Sequence, residues 1–443
     1  MENKIINLFK KIMIQIIIHR GTKEIGGSCV EIKTDNTRIL IDFGIPLVNK
    51  NKKPFDSNIL TKKTLEELKK TKILPDIKGL YKNKKKSIDA ILISHSHLDH
   101  YGFLSFVHPE IPIYMSRGAK ELIDITNIFL KKNLGQINSI LVKHKETCQI
   151  GDIKITPNLV DHSAFDAFSY LIETEGKRIY YSGDFRGHGR KSVLFSRMVE
   201  KPLANIDVLL MEGSMLGRHK LIYENERSVE NKIVEILKAN NNITFLFTSS
   251  QNIDRLVSAY RACLKTNKIF VIDLYTAFIL ERLKTISEHI PQFDWKNIRV
   301  KFYKSHADSI AEAGYKDLLY KFNKSKIEMN EINKNKDNIL MLARDNSLFP
   351  AILKKIDKVQ GAKIIYSMWE GYLKDEFIGF IKHHGIDLEQ VHTSGHAVLE
   401  DLKKFSEALN PNMLIPIHTF EPKEYSKHFK NVKMLKDGEV LKM

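Results

Sequence analysis

Cysteine is scarce in this chain. Cys29, Cys148 and Cys263 are the only three, odd in number and far apart. That pattern excludes a disulfide scaffold and a cysteine-built zinc site, and it fits a reduced, cytoplasmic setting. Long apolar runs are missing too. No stretch approaches the roughly 20 apolar residues of a membrane span, so an integral membrane protein is excluded. The apolar run at 12–18 is short and lacks a small-residue cleavage site, so it reads as a strand and not as a signal peptide. No internal repeat is visible.

The 443 residues are 43% hydrophobic, enough to bury real cores, and their number corresponds to about three domain-lengths. Lys plus Arg is 70 and Asp plus Glu is 53, a net charge of +17. Such a charge attracts polyanions, nucleic acid being the common one. The plainer reading of the same number is a composition bias toward lysine and asparagine.

Residues 1–12 read as an appendage, with Met13 placed as an alternative start just before a clean strand pattern. Strands are then expected at 14–18, 29–32, 38–43, 88–93, 170–173, 178–181 and 208–211. The lysine-heavy connection 49–87 reads as a solvated insertion or as a basic rim for a polyanion. From 227 the pattern changes. A helical stripe at 227–238, an apolar strand at 244–248 and a second helix at 253–264 imply a parallel α/β unit. Residues 323–338 are polar and read as a loop. An apolar strand returns at 363–367, and the tail from 416 reads as short strands and a helix.

The densest chemistry is His95-Ser96-His97-Leu98-Asp99-His100, directly after a strand. Imidazole and carboxylate suit zinc and similar borderline cations. At a strand end, a loop can turn His95 and His97 to one ion and Asp99 and His100 to another. One cluster cannot complete two coordination spheres, so partners are expected at other strand ends. His162, Asp184 and His418 stand out. Asp184, with two oxygens, can bridge two cations.

The ordered set Asp42, His95 to His100, His162 and Asp184 resembles the metallo-β-lactamase fold. Glu212 in Met211-Glu212-Gly213-Ser214, His396 in Ser394-Gly395-His396-Ala397, and His418 in Pro416-Ile417-His418-Thr419 narrow the resemblance. They are similar to motifs of the β-CASP nucleases, the group of ribonuclease J. The resemblance implies an α/β fold, an αββα sandwich with an inserted β-CASP-like α/β domain. Its boundaries fall at 13–213, 214–362 and 363–443. It implies one zinc on His95, His97 and His162, another on Asp99, His100 and His418, and Asp184 between them, with manganese as the alternative ion. Asp42 would orient ligands. His396 would protonate the leaving oxygen or contact the scissile phosphate, helped by Glu212. Together with Asp99 and Asp184 these form the expected catalytic set. The implied substrate is single-stranded RNA, with DNA as a second polyanion, cut in exo- or endonuclease mode. A homo-oligomer is compatible with the resemblance; a membrane partner is not expected.

The chemistry suits a phosphodiester. Two cations about 3.5–4 Å apart lower the pKa of water and neutralise phosphoryl charge, and a histidine supplies the leaving group's proton. A hydrolase of a small ester or cyclic nucleotide would share the metals but would not need an insertion of about 150 residues, a length usual for a whole domain. A third alternative is a nucleic-acid-binding scaffold with a vestigial site, against which the complete ligand set argues.

Thr248-Ser249-Ser250-Gln251-Asn252 links a strand to a helix. Its hydroxyls and free amides, with Arg255 one turn in, suit a phosphate or plain helix capping. Ser249, Ser250, Asn252, Arg255, Ser394, Gly395 and His396 are the expected phosphate contacts. Ser367-Met368-Trp369-Glu370-Gly371-Tyr372 reads as the return to the first domain and stands where the family carries a glycine-rich motif. Trp369 and Tyr372 read as core aromatics, with base stacking as the second reading.

Overall fold

A computed structural model describes residues 13–49, 53–130, 137–218 and 222–443. The appendage expected at 1–12 and residues 50–52 of the basic connection lie outside the described residues.

Two sheets face each other. The first runs Gln15–Arg20, Cys29–Lys33, Arg38–Ile41, Ala90–Leu92, Ile113–Met115 and Ser139–Leu141, with Val440–Lys442 on its other edge. Its early strands pair antiparallel, and those from Arg38–Ile41 onward pair parallel. The second sheet carries, in order, Met413–Ile417, Val208–Glu212, Lys177–Tyr181, Phe168–Thr174, Ile153–Leu159 and Cys148–Ile150.

Alternation along each strand decides what it packs against. Ile39, Ile41 and Leu92 point inward and meet Ile155, Tyr170, Ile179 and Leu210 of the facing sheet. Leu40 and Ile91 point outward and are covered by Ala119 and Ile123 of helix Arg117–Leu130. On the other side, Leu209 and Leu414 are covered by Phe195, Leu402 and Phe405 from helices Ser192–Glu200 and Leu399–Leu409. Helix, sheet, sheet and helix thus stack as the αββα sandwich expected.

The third sheet is wholly parallel, in the order Ile298–Lys301, Ile269–Asp273, Ile339–Ala343, Thr244–Phe247, Lys363–Tyr366 and Asp387–Gln390. Its inner strands are apolar on both faces, as burial between two helix layers requires. Leu246 belongs to one core and its neighbours Phe245 and Phe247 to the other.

This sheet moves one expected boundary. Lys363–Tyr366 pairs with Thr244–Phe247, and Asp387–Gln390 pairs in turn with Lys363–Tyr366. The inserted unit therefore extends to Gln390 and not to 362. Helix Leu399–Leu409 and strand Met413–Ile417 make the return to the sandwich. The polar stretch 323–338 is also more ordered than expected: it contains helix Met329–Lys334, anchored by buried Ile332. Among the described residues, no helix is long and apolar enough to cross a membrane.

Candidate metal centre

The residues singled out in the sequence converge at one edge of the sandwich, just beyond the ends of its strands. Strand Ala90–Leu92 runs into Ser94–His97, and His97 begins the short helix Leu98–Tyr101 that presents Asp99 and His100. From the second sheet come His162, Asp184, Glu212 and His418. Asp42 and His418 hold left-handed backbone at φ 60° and 51°. Such conformations are costly for these residue types and persist only where surroundings over-determine them. Here the Asp42 amide donates to the Leu92 carbonyl and the His418 amide to the Gly21 carbonyl.

Two triads result. His95, His97 and His162 bring ligand atoms within 4.8 Å of one another, as do Asp99, His100 and His418. Asp184 lies between them, its Oδ2 at 3.7 Å from His95 Nε2 and 3.1 Å from His100 Nε2. Nδ1 of each of four histidines is engaged from behind. Ser94 Oγ meets that of His95 at 3.0 Å, and Ser214 Oγ that of His418 at 2.9 Å. His100 donates to Asp42 at 2.8 Å, and His162 donates to the Gly395 carbonyl at 2.6 Å. Such partners fix ring orientation and leave Nε2 for the centre. Asp42 is itself held by Ser94 and by the Tyr181 hydroxyl at 2.7 Å.

The arrangement fits divalent cations on an observation independent of the motif. His95 Nε2, His100 Nε2 and Asp184 Oδ2 are buried and face one another without a well-formed hydrogen bond. Buried polar atoms are seldom left so, and a cation would satisfy all of these at once. Protonation states agree. Burial holds His95 and His162 well below the ordinary imidazole range and His97 at about 4, so these rings keep free lone pairs. For His100 burial acts in the same direction, but Asp184, Asp42 and Asp99 outweigh it and raise its pKa. A bound cation would compete with that proton.

Gly44 is a requirement of the site. A Cβ there would lie 1.6 Å from the Asp99 carbonyl oxygen, because helix Leu98–Tyr101 packs directly on the end of strand Arg38–Ile41. Gly44→Ala is expected to displace Asp99 and His100. It should cost about 1–3 kcal/mol of stability and reduce the metal content of the purified protein. Thermal unfolding and elemental analysis check both; unchanged metal content would show that the helix tolerates the shift.

His396 stands over this centre. Its Nδ1 is 3.2 Å from both oxygens of Glu212 and 3.7 Å from Asp184 Oδ2. Burial disfavours the imidazolium, but Glu212 and Asp184 outweigh that and raise the pKa. Glu212 is fully buried and also accepts from the amides of Phe185 and Ser214. It sits behind His396 and works through that ring.

The centre forms the floor of a cleft of about 1580 Å³ between sandwich and insert. Of the residues expected to contact phosphate, Ser249, Asn252, Ser394, Gly395 and His396 line it. Two other expected contacts do not reach it. Arg255 is fully buried, paired with Glu226 at 2.9 Å and bonded to Ser367. Ser250 is buried too, bonded to Thr276 at 2.6 Å and to Arg344. The Asn252 side chain also caps the helix by accepting from the Arg255 amide.

Sequence reasoning passed over Arg186. It is fully buried, pairs with Asp161 and Asp254, and donates to the Ser394 carbonyl at 2.9 Å. It thereby joins the loops bearing His162, Asp184 and His396 to the insert. Its position two residues after Asp184 was the available signal. Trp369 and Tyr372, expected in a core, are 45% and 55% exposed at the rim of the cleft.

Comparison with known proteins agrees with this architecture. Residues 75–245 match the model of a beta-lactamase superfamily domain. The chain is 24% identical to an RNase J-like protein of Methanocaldococcus jannaschii, over 65% of this chain and 64% of that one. It is 23% identical to ribonuclease J of Helicobacter pylori strain 26695, over 99% of this chain and 62% of that one. It is 24% identical to the transcription termination factor FttA of Methanothermobacter thermautotrophicus, over 67% and 47%. It thus spans less than two thirds of the length of these curated relatives. A crystal structure of a protein of unknown function from Enterococcus faecalis V583 shares the fold, with TM-score 0.79 and 22% identity over 97% of this chain and 100% of that one. By its sandwich and its matched domain the chain has the metallo-β-lactamase fold, and it is similar to ribonuclease J over most of its length.

Proposed function

We propose that the protein is a metal-dependent nuclease of the β-CASP type that hydrolyses phosphodiester bonds in single-stranded RNA. The observation that carries this reading is the pair of ligand triads sharing Asp184 on the floor of an open cleft, with His396 aimed at the same place. Zinc is the cation best suited to five imidazoles and two carboxylates, with manganese as the alternative. A pair of such ions supplies activated water at neutral pH and neutralises charge on the phosphoryl group.

The chain's own residues do the rest. His95, His97 and His162 would hold one ion, Asp99, His100 and His418 the other, and Asp184 both. His396, its ring held by Glu212, gives a proton to the leaving oxygen. Ser249, Asn252 and the Ser394–His396 loop position the phosphates of the strand. A cytoplasmic setting is supported by three cysteines that are all free thiols. The cleft exceeds the roughly 300–1,000 Å³ usual for small-molecule sites, and this favours a polymer over a small ester or cyclic nucleotide.

Purified protein should cut single-stranded RNA in preference to duplex, in which each stacked pair to be opened costs about 1.4 kcal/mol. Binding to an inactive Asp99→Ala variant should weaken with salt at about −0.7 per phosphate contact, a total slope of roughly −2 or steeper. RNA labelled at either end, DNA of the same sequence and a cyclic dinucleotide are to be compared as substrates. Turnover of the cyclic dinucleotide without RNA cleavage, joined with a flat salt response, would move the assignment to a small-molecule metallohydrolase.

A further inference from the structure

Trp369 and Tyr372 are built into the rim of the cleft. Trp369 leads into, and Tyr372 ends, the turn Glu370–Tyr372 that follows strand Lys363–Tyr366, and their rings meet edge to face with centroids 5.3 Å apart. Gly371 lets the turn fold beneath the indole: a Cβ there would lie 2.3–2.6 Å from three carbons of the Trp369 ring. From the sandwich side, Arg218 places its guanidinium 5.1 Å from the indole centroid. Among the described residues, no carboxylate forms an ion pair with Arg218.

The pair of rings is costly in a monomer's surface. Large aromatics bury about 150–250 Å² each when packed, yet these are 45% and 55% exposed. They line the same cavity as His97, Asp99 and His396, so what they meet is what enters the cleft.

We propose that Trp369, Tyr372 and Arg218 form a stacking platform for a nucleobase next to the phosphate held at the metal centre. The proposal rests on the nuclease reading. Every base has a π-face, so aromatic stacking grips a single strand without selecting its sequence, and a guanidinium adds a cation for the base or its phosphate. A duplex, with its bases already stacked, could not use the platform.

The test is cleavage of one RNA oligomer with abasic residues placed singly at each position around the cut. Wild type should lose about tenfold to a hundredfold in kcat/KM when one particular base is removed. The Trp369→Ala, Tyr372→Ala double variant should show that same loss on intact RNA, and no further loss on the abasic oligomer. Trp369→Phe with Tyr372→Phe should recover most of the activity. Variants as active as wild type on intact RNA, or slower than wild type by the same factor on the abasic oligomer as on intact RNA, would overturn the platform and leave the nuclease reading standing. A wild type that cuts no RNA would overturn both.

Discussion

Asp184→Asn will leave the protein unable to hold two divalent ions and will reduce RNA hydrolysis by far more than the 10–100-fold typical of residues that only orient metal ligands. The substitution keeps the shape of the side chain and removes its charge. In the structure that charge is held by opposing forces. Burial disfavours the carboxylate, but His418, His100 and His396 together outweigh it and keep its pKa well below the usual range. Its Oδ2 makes no well-formed hydrogen bond, although His95 Nε2 and His100 Nε2 lie 3.7 and 3.1 Å away. An amide cannot replace a carboxylate between two cations. Metal analysis should therefore give two ions for wild type and at most one for the variant, with unaltered circular dichroism. Asp42→Asn makes the contrast. Asp42 touches no cation site directly but holds His100 Nδ1 at 2.8 Å, so its loss should fall within the 10–100-fold range. An Asp184→Asn protein with two ions and full activity would remove Asp184 from the centre.

The centre was legible in the sequence because its ligands follow a local rule. His95, His97, Asp99 and His100 lie in one run after a strand, and His162, Asp184 and His418 each follow a strand of their own. The structure gathers all of them, and Asp42, at one edge of the sandwich. What was not legible depends on contacts distant along the chain. An apolar strand at 363–366 does not announce which sheet it joins, and its pairing with Thr244–Phe247 extends the insert to Gln390. Arg255 has the place of a phosphate ligand in the helix but is consumed by Glu226, 29 residues away. Arg186 looks like surface charge, yet its partners Asp161, Asp254 and Ser394 bury it completely. Trp369 was expected inside because most indoles are. The close approach of Gly371 holds it at the rim instead.

His396→Ala is expected to slow the chemical step by about 10²–10⁴ with both ions still bound. The ring has a second possible role, because Asp184, Glu212, His396 and His418 also bring ligand atoms within 4.8 Å of one another. Metal content decides between them. An acid can be removed without loss of ions; a ligand cannot. The geometry favours the acid. His396 Nδ1 faces Glu212 at 3.2 Å, and Asp184 stands farther off at 3.7 Å. A carboxylate behind an imidazole holds the ring in place and stabilises its charged form. Against the opposing effect of burial, Glu212 and Asp184 keep the His396 pKa raised. The consequence for pH has a definite sign. A proton donor works while protonated, so activity should fall as pH rises through the His396 pKa. Glu212→Gln removes the larger of the charges that raise this pKa. The alkaline limb of the single-turnover profile should therefore move to lower pH at unchanged metal content. A limb that stays in place in Glu212→Gln, or metal loss in His396→Ala, would assign the ring to the metal centre and leave the leaving group's proton to another donor.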